Sequence, residues 1–280
     1  MNHSNLAIDL GGTNIRIARV ENGQCTEYRS MPCPAHEEAS VVVGCLVRLI
    51  EELIDPQVAG IGIGVPSIVD TQAGIVYDVA NIPAWKEVPL KALLEEKFRV
   101  PVAVDNDCNC FALGESRFGA GRSCSDMVGV TIGTGIGAGI IIGGKLYGGL
   151  YRGAGEIGSL PYRDADFEHY CSSFFFKDKG IDAGEWAEKA RRGEQAALCI
   201  WDEFGGHLGE LIKVIMFTYA PQLIVFGGGI SSAFPLFRKG MEKALRDFPY
   251  HRILNHTKIT PSELKNANLL GASSLLPDIR

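Results

Sequence analysis

Apolar residues along this chain fall into two rhythms, short continuous runs and a longer 3.6-residue beat, with glycine separating many of them. Between Met127 and Gly149, in MVGVTIGTGIGAGIIIGGKLYGG, the runs Val128 to Ile132 and Gly139 to Ile142 flank a turn in which Gly133, Gly135 and Gly137 alternate with Thr134 and Ile136. That order predicts strand, glycine turn, strand. Leu6 to Val20, LAIDLGGTNIRIARV, repeats it in outline: an apolar strand, Gly11-Gly12-Thr13, then Ile15, Ile17 and Ala18 alternating with Arg16 and Arg19. Two such hairpins about 120 residues apart predict a duplicated architecture of two related lobes.

The remaining pattern alternates strands with helices. From His36 to Ile54, Val42, Cys45, Leu46, Leu49 and Leu53 recur at helical spacing, with Glu37, Glu38, Arg48, Glu51 and Glu52 turned outward; this predicts a surface helix packed on a sheet. Val58 to Val65 reads as a buried strand ending at Pro66, and Pro101 to Asp105 as another, which delivers Asn106 and Asp107 to its carboxyl end before a helix through DCNCFALGESRF. Two helices interrupted near Gly193 fill Glu185 to Tyr219. Leu223 to Ile230 is a strand running into Gly227-Gly228-Gly229 and then a helix, and Ala267 to Leu276 is a closing helix in which Gly271 permits close packing.

Composition and charge narrow the classes. A chain of 280 residues, 46% hydrophobic with 34 glycines, fits a turn-rich α/β protein with two packed lobes. The net charge of -6, with no Lys/Arg cluster, excludes a nucleic-acid partner held on a basic face. It does not weigh against ATP, because backbone N–H groups and magnesium hold phosphates on an acidic protein. No cationic leader and no segment near 18 uninterrupted apolar residues is present, so no membrane partner and a cytoplasmic location are expected. Eight scattered cysteines, without a Cys-x-x-Cys pair or a His ladder, read as free thiols rather than a zinc site or disulfide frame.

Bare glycine turns let backbone N–H groups reach a bulky anion, and the anion expected is phosphate. Gly133, Gly135 and Ala138 fit the spacing of a dinucleotide fingerprint, but that fingerprint opens a helix and this stretch continues as a strand. Gly139 to Gly144-Lys145 imitates a Walker A loop, yet ends in Leu146 where a Ser or Thr must meet magnesium. A glycine-rich hairpin without a ligand is the structural alternative. Asp9, at the end of the first strand, is a candidate outer-shell magnesium carboxylate or a turn-capping aspartate, and Thr13 a phosphate-side hydroxyl. Asp107 lies where ligands bind in open α/β sheets and could take a proton from a hydroxyl; Asp105 and Asp107 equally fit as helix caps. Asn81, on the loop Asn81-Ile82-Pro83-Ala84-Trp85, suits a polyol contact or an Asx turn. Glu156 is a lone acid among small residues, and Gly227 to Gly229 offer a bare seat for an adenosine moiety.

Taken in order, Asp9-x-Gly-Gly-Thr13, Asn81-Ile-Pro-x-Trp85, Asp105-Asn-Asp107-x-Asn109, Gly133-Thr-Gly-Ile-Gly-x-Gly139, Gly155-Glu-x-Gly158, Gly227-Gly-Gly229 and Ala267-x-Leu-Leu-Gly-Ala272 resemble the ROK family of sugar kinases and sugar-responsive repressors, from Leu6 to Leu275. The resemblance implies a duplicated actin-like ATPase (ribonuclease H-like) α/β fold with two lobes around a central cleft. Residues 1–118 with 267–280 would form an N-terminal lobe on the sugar and phosphate side, and 119–266 a C-terminal lobe on the nucleotide side. It implies ATP and magnesium, a hexose acceptor, and phosphorylation of glucose to glucose 6-phosphate as the first choice; N-acetylmannosamine, N-acetylglucosamine, mannose, fructose and allose are the alternatives. By similarity, Asp107 would be the general base, and Asn81, Asn106 and Glu156 would hold other sugar hydroxyls. Asp9, Gly11, Gly12, Thr13, Gly133, Thr134 and Gly135 would surround the phosphates and magnesium, with Gly227, Gly228 and Gly229 by the nucleoside.

The sequence departs from the family in one stretch. Where relatives carry a histidine that touches the sugar and ligates zinc, this chain has Ser159, and the cysteine-rich zinc loop is missing. Glu168, in Phe167-Glu168-His169-Tyr170, takes the place of the second sugar-binding glutamate, and no structural zinc is expected. ROK repressors carry a winged helix-turn-helix ahead of the first hairpin, whereas this sequence begins a few residues before it, so a kinase is expected. A homodimer is common among relatives.

Overall fold

The computed structural model describes residues 4–79 and 81–276. Strands β1 (Ser4–Leu10), β2 (Asn14–Glu21) and β3 (Gln24–Pro32) form an antiparallel meander; α1 (Ala39–Glu51) crosses back, and β4 (Val58–Val65) runs parallel to β1. A small antiparallel sheet of β5 (Ile68–Asp70), β6 (Ile75–Tyr77) and β7 (Glu87–Val88) is inserted there, before α2 (Leu90–Phe98) leads into β8 (Val102–Asn106), parallel to β4. The first sheet therefore has the order β3-β2-β1-β4-β8.

Helix α3 (Asp107–Phe118) leaves β8 directly and leads to the second half, where β9 (Met127–Ile132), β10 (Ile136–Ile142) and β11 (Lys145–Tyr147) repeat the meander. An insert follows, with a hairpin of β12 (Pro161–Tyr162) and β13 (Ala165–Asp166) and the short helices α4 (Phe167–Cys171) and α5 (Ser173–Asp178). Helices α6 (Ala183–Arg191) and α7 (Gln195–Tyr219) lead to β14 (Leu223–Gly227), and α8 (Phe234–Ala244) and α9 (His251–His256) to β15 (Lys258–Pro261). Both strands are parallel to β9, and α10 (Ala267–Ser273) closes the described chain. The second sheet, β11-β10-β9-β14-β15, has the same succession of antiparallel and parallel neighbours as the first. This is the duplicated α/β architecture that the repeated hairpin predicts.

Side-chain alternation decides what each face meets. On β1, Leu6, Ile8 and Leu10 point into a core shared with Val42, Cys45, Leu46 and Leu49 of α1, whereas Ala7 and Asp9 point to the opposite face, towards α10. The second sheet has its own core, in which Trp201, Phe204, Leu208 and Ile212 of α7 pack with Phe237 of α8. Between the two sheets lie α3 and α10. They cross backbone to backbone, because a Cβ on Gly114 would meet Ala267 O and a Cβ on Gly271 would meet Cys110 O. Phe111 reaches from α3 to Leu223 and Val225 of the second sheet. The N-terminus of α3 is thereby held at the junction of both halves.

The second hairpin turn is shorter than the glycine alternation predicts. Strand β10 begins at Ile136, so Gly137 pairs with Thr131 inside the ladder. Glycine is required there because α3 packs against the strand and a Cβ would meet Cys108 Sγ. Among the described residues no helix is long and apolar enough to cross a membrane.

Candidate functional site

A cleft of about 1000 Å³ lies between the two sheets, walled by both hairpin turns, the start of α3, the loop at Asn81, the insert and the start of α10. Every site residue singled out from the sequence lines it: Asp9, Gly11, Gly12, Thr13, Asn81, Asn106, Asp107, Gly133, Thr134, Gly135, Glu156, Ser159, Glu168, Gly227, Gly228 and Gly229.

At the β8–α3 corner, three consecutive polar residues take three tasks. The cap of α3 is Asn106 rather than Asp105 or Asp107: its Oδ1 accepts the N–H groups of Cys108 (2.8 Å) and Asn109 (3.2 Å), and its Nδ2 donates to Ser67 O at 3.2 Å. Only one amide hydrogen of Asn106 is left for a ligand. Asp105 is fully buried and anchors the corner, accepting from Asn106 N–H (2.8 Å) and Asn109 Nδ2 (2.9 Å). Its Oδ2 also lies 3.0 Å from Arg152 Nε, an ion pair without hydrogen-bond alignment that ties the second half to the first. Asp107, the first residue of α3, is thereby left to face the cleft, with Oδ1 accepting Cys108 N–H at 2.8 Å.

Three acids of the cleft, Asp107, Asp9 and Glu156, are shifted towards the neutral form. Burial, then the neighbouring charges of Asp9 and Glu156, push Asp107 up to about 7. Burial also raises Asp9, against the opposing effects of Arg16 and a hydrogen bond from Asn268. Burial and the charge of Glu168 raise Glu156. Three carboxylates shifted in the same direction around one cleft make it the candidate functional site of the molecule.

The two turns differ in how they are held. Gly11 N–H donates to Asn14 O and Gly133 N–H to Gly135 O, both at 2.9 Å. Asn81 packs over the first turn, where a Cβ on Gly12 would lie 2.7 Å from the Asn81 Cβ. Over the second turn sits Glu168, whose Oε2 accepts Ile136 N–H at 3.2 Å. A Cβ on Gly133 would meet nothing within 4 Å, and the same holds for Gly229, so both open to the cleft. Gly227 and Gly228 are bare for packing instead: their Cβ atoms would run into Phe111 and Ile132 O. Ser159 ends a single 3-10 turn, Ile157–Ser159, on the cleft wall.

Two cleft residues escaped the sequence reading. Arg16 is the one Lys or Arg among the described residues that line the cleft, and its Nη1 lies 3.4 Å from Asp9 Oδ2. The β1–β2 register pairs Asp9 with Arg16 directly, so a hairpin drawn with that register from the sequence would have placed both on one face. Asn268, on α10, has no local signal, since 259 residues separate it from the Asp9 it contacts. Among the described residues no three His, Cys, Asp or Glu gather as a metal cage. Magnesium needs none, because it is held by one or two carboxylates together with substrate phosphates and water. Asp9, in the cleft at the foot of the first glycine turn, fits that manner of binding.

Residues 5–279 match the model of the ROK family, and the chain belongs to that family. Its fold is the duplicated actin-like ATPase fold of ROK kinases. A ROK family glucokinase from Streptomyces griseus, solved in complex with glucose and AMPPNP, superposes with a TM-score of 0.84 at 26% identity, covering 97% of this chain and 98% of that one. The glucokinase of Thermotoga maritima is 27% identical over 98% of this chain and 97% of its own length. The xylose repressor of Bacillus subtilis is 30% identical over 78% of this chain and 61% of its own length.

Proposed function

We propose that this protein is an ATP-dependent hexose kinase of the cytoplasm, transferring the γ-phosphoryl group of ATP to a sugar hydroxyl, with glucose and its 6-hydroxyl as first choice. The observation that carries the reading is Asp107: a carboxyl raised to about 7, at the junction of two halves, in a cleft to which each half contributes a bare turn. A general base works best with a pKa near the working pH. The glucose and AMPPNP bound by the Streptomyces griseus relative support the same pairing of ligands here.

In this reading the acceptor hydroxyl donates to Asp107, which takes its proton as the oxygen attacks phosphorus and the bond to ADP breaks. Asn81, the free amide hydrogen of Asn106, Glu156 and Glu168 orient the sugar. Ser159 is shorter than an imidazole, so its contact with the sugar runs through water. The N–H groups of Gly12 and Thr13 in the first turn and of Thr134 and Gly135 in the second, which the closing bonds of Gly11 and Gly133 leave unused, face the β and γ phosphates, and Gly229 leaves room for the nucleoside. Arg16 supplies positive charge beside them. Asp9 would hold magnesium through its outer shell together with the phosphates, and the ion would supply positive charge against that which develops on transfer. Residues 1–118 and 267–280 act as the sugar and phosphate lobe and 119–266 as the nucleotide lobe.

A coupled ADP-release screen against hexoses and acylated hexosamines, with and without chelator, tests the proposal. Sugar-dependent release abolished by chelator supports it, and no release with any sugar removes it. The likeness to the xylose repressor favours a second reading, a sugar-sensing regulator, which the same screen separates: sugar binding seen by calorimetry without turnover points to that role.

A further inference from the structure

The second glycine turn owes its shape to a segment outside its own strands. Helix α4 starts at the cap Asp166, whose Oδ1 accepts His169 N–H at 2.9 Å, and is anchored by Phe167, stacked on Tyr162 at 4.3 Å between ring centres. From this base Glu168 reaches the turn, where Oε2 accepts Ile136 N–H and occupies the space a Cβ on Gly135 would need. Five residues on, Ser173 N–H donates to Gly133 O at 2.9 Å, and its hydroxyl to Thr134 O at 3.2 Å. Residues 168–173 thus hold three backbone groups at 133–136. Among the described residues, the neighbour that packs against Gly12 in the first turn is the uncharged Asn81.

A carboxylate has two oxygens and accepts from two donors at once. With Oε2 on the turn, Oε1 remains for a hydroxyl in the part of the cleft that Glu156 also lines. We propose that Glu168 is a positioning residue that couples sugar binding to the nucleotide turn: a sugar hydroxyl on Oε1 fixes the carboxylate, and through Ile136 N–H the carboxylate fixes the phosphate-facing amides. The inference rests on the sugar-kinase reading above. Coupling is reciprocal, so sugar tightens nucleotide and nucleotide tightens sugar by one factor, typically about 5- to 150-fold.

The test is calorimetric titration of the full chain with AMPPNP, without sugar and with saturating concentrations of the hexose that turns over best in the screen. In the unaltered protein the hexose lowers the Kd of AMPPNP at least fivefold. Glu168→Gln keeps the side-chain shape, but with its carbonyl oxygen on Ile136 N–H it turns an uncharged NH2 donor rather than a charged acceptor towards the sugar hydroxyl, so the charge-assisted link is lost and sugar changes the AMPPNP Kd less than twofold. Glu156→Gln weakens hexose binding yet keeps the full tightening once saturated. Hydrogen exchange of the peptide 132–137 gives a second readout: hexose slows it in the unaltered protein and in Glu156→Gln, but not in Glu168→Gln. Full tightening in Glu168→Gln, or none in the unaltered protein, overturns the inference while hexose turnover keeps the kinase reading intact. A protein that binds no hexose removes both.

Discussion

The two hairpins are built on one plan and filled differently. Leu10 faces Ile15 across the first turn and Ile132 faces Ile136 across the second, so Asp9 corresponds to Thr131 and Arg16 to Gly137. The first half thus carries an acid and a base at the turn, whereas the second offers a hydroxyl and a bare backbone. Their inserts follow suit: the first half adds Asn81 over its turn, the second adds Glu156 and Glu168. In the proposed kinase, duplication would supply two frames for one polyphosphate, and divergence would assign the charge that responds to the reaction to one of them. Asp107 belongs to neither turn: it starts the helix wedged between the sheets and faces the cleft that both turns line.

The largest effect expected follows from that placement. Asp107→Asn removes the proton acceptor and lowers kcat by at least about 10²- to 10⁴-fold in the ADP-release assay, while the Kd of AMPPNP changes little. Near-normal turnover would shift the chemistry away from the junction. The same substitution stabilises the fold at high pH. Asp107 has a folded value of about 7 against an ordinary 3.8, so its contribution is fullest below 3.8 and is lost as pH rises through 7. The Tm of Asp107→Asn should therefore exceed that of the unaltered protein at pH 8 and approach it near pH 5, a cross-over from a loss of activity to a gain of stability.

The pH dependence separates the contributions of the two halves. With Asp107 needed as a base, log kcat/KM falls with a slope of one below about pH 7. The charge of Asp9 is part of what raises Asp107, and it belongs to the first turn. Asp9→Asn should move this acidic limb to lower pH, alongside its loss of magnesium-dependent rate, whereas Thr131→Val, at the matching position of the second turn, should leave the limb in place. Equal limbs in all three proteins would show that Asp9 does not act on Asp107.

Much of this was legible in the residues, and what was not has physical reasons. The repeated run of apolar strand and glycine turn marked the duplication, because buried central strands must be apolar on both faces. The edge strands β3 and β11 were missed: most of the β3 residues are exposed, so no apolar alternation marks them. Local spacing could not choose among Asp105, Asn106 and Asp107, since all three suit a helix start; burial and the Arg152 ion pair, set by distant chain, made the choice. Gly137 was read into the turn because glycine for a turn and glycine for a packed helix look the same in one dimension. The insert with Glu168 was reached only through family resemblance.

Smaller changes sharpen the contrast between the turns themselves. At Gly133 an added Cβ meets no protein atom within 4 Å, so Gly133→Ala should fold normally and obstruct only the ligand, raising the KM for ATP roughly tenfold, about 1.4 kcal/mol. Gly12→Ala pushes instead on Asn81 and should raise the KM for sugar. Arg16→Gln tests the missed cation: the KM for ATP rises several-fold and that for sugar stays within twofold. An Arg16→Gln enzyme with unchanged ATP kinetics at low salt would confine this arginine to its pairing with Asp9.

The least effect on turnover is expected from the device that holds the second insert. Tyr162, Tyr170 and Phe175 surround His207, which is nearly inaccessible, and Tyr162 Oη lies 3.1 Å from its Nδ1. Burial lowers His207 to about 4, with Arg163 and Lys179 acting in the same direction and Glu203 against them. A histidine lowered on folding gives its full stability above its ordinary value of 6.5 and loses it as pH falls towards 4. At pH 5 the loss is about 2 kcal/mol, from about 1.4 kcal/mol per unit of pH below 6.5. His207→Phe has no proton to take up there, so its stability in urea should fall less between pH 7 and pH 5 than that of the unaltered protein, with kcat at pH 7 within twofold. The first insert, a small sheet held by backbone ladders, has no buried histidine, so acid should loosen α4 and Glu168 before it reaches Asn81. Hydrogen exchange at pH 5 that rises first in peptides 75–88 rather than 160–171 would reverse that order.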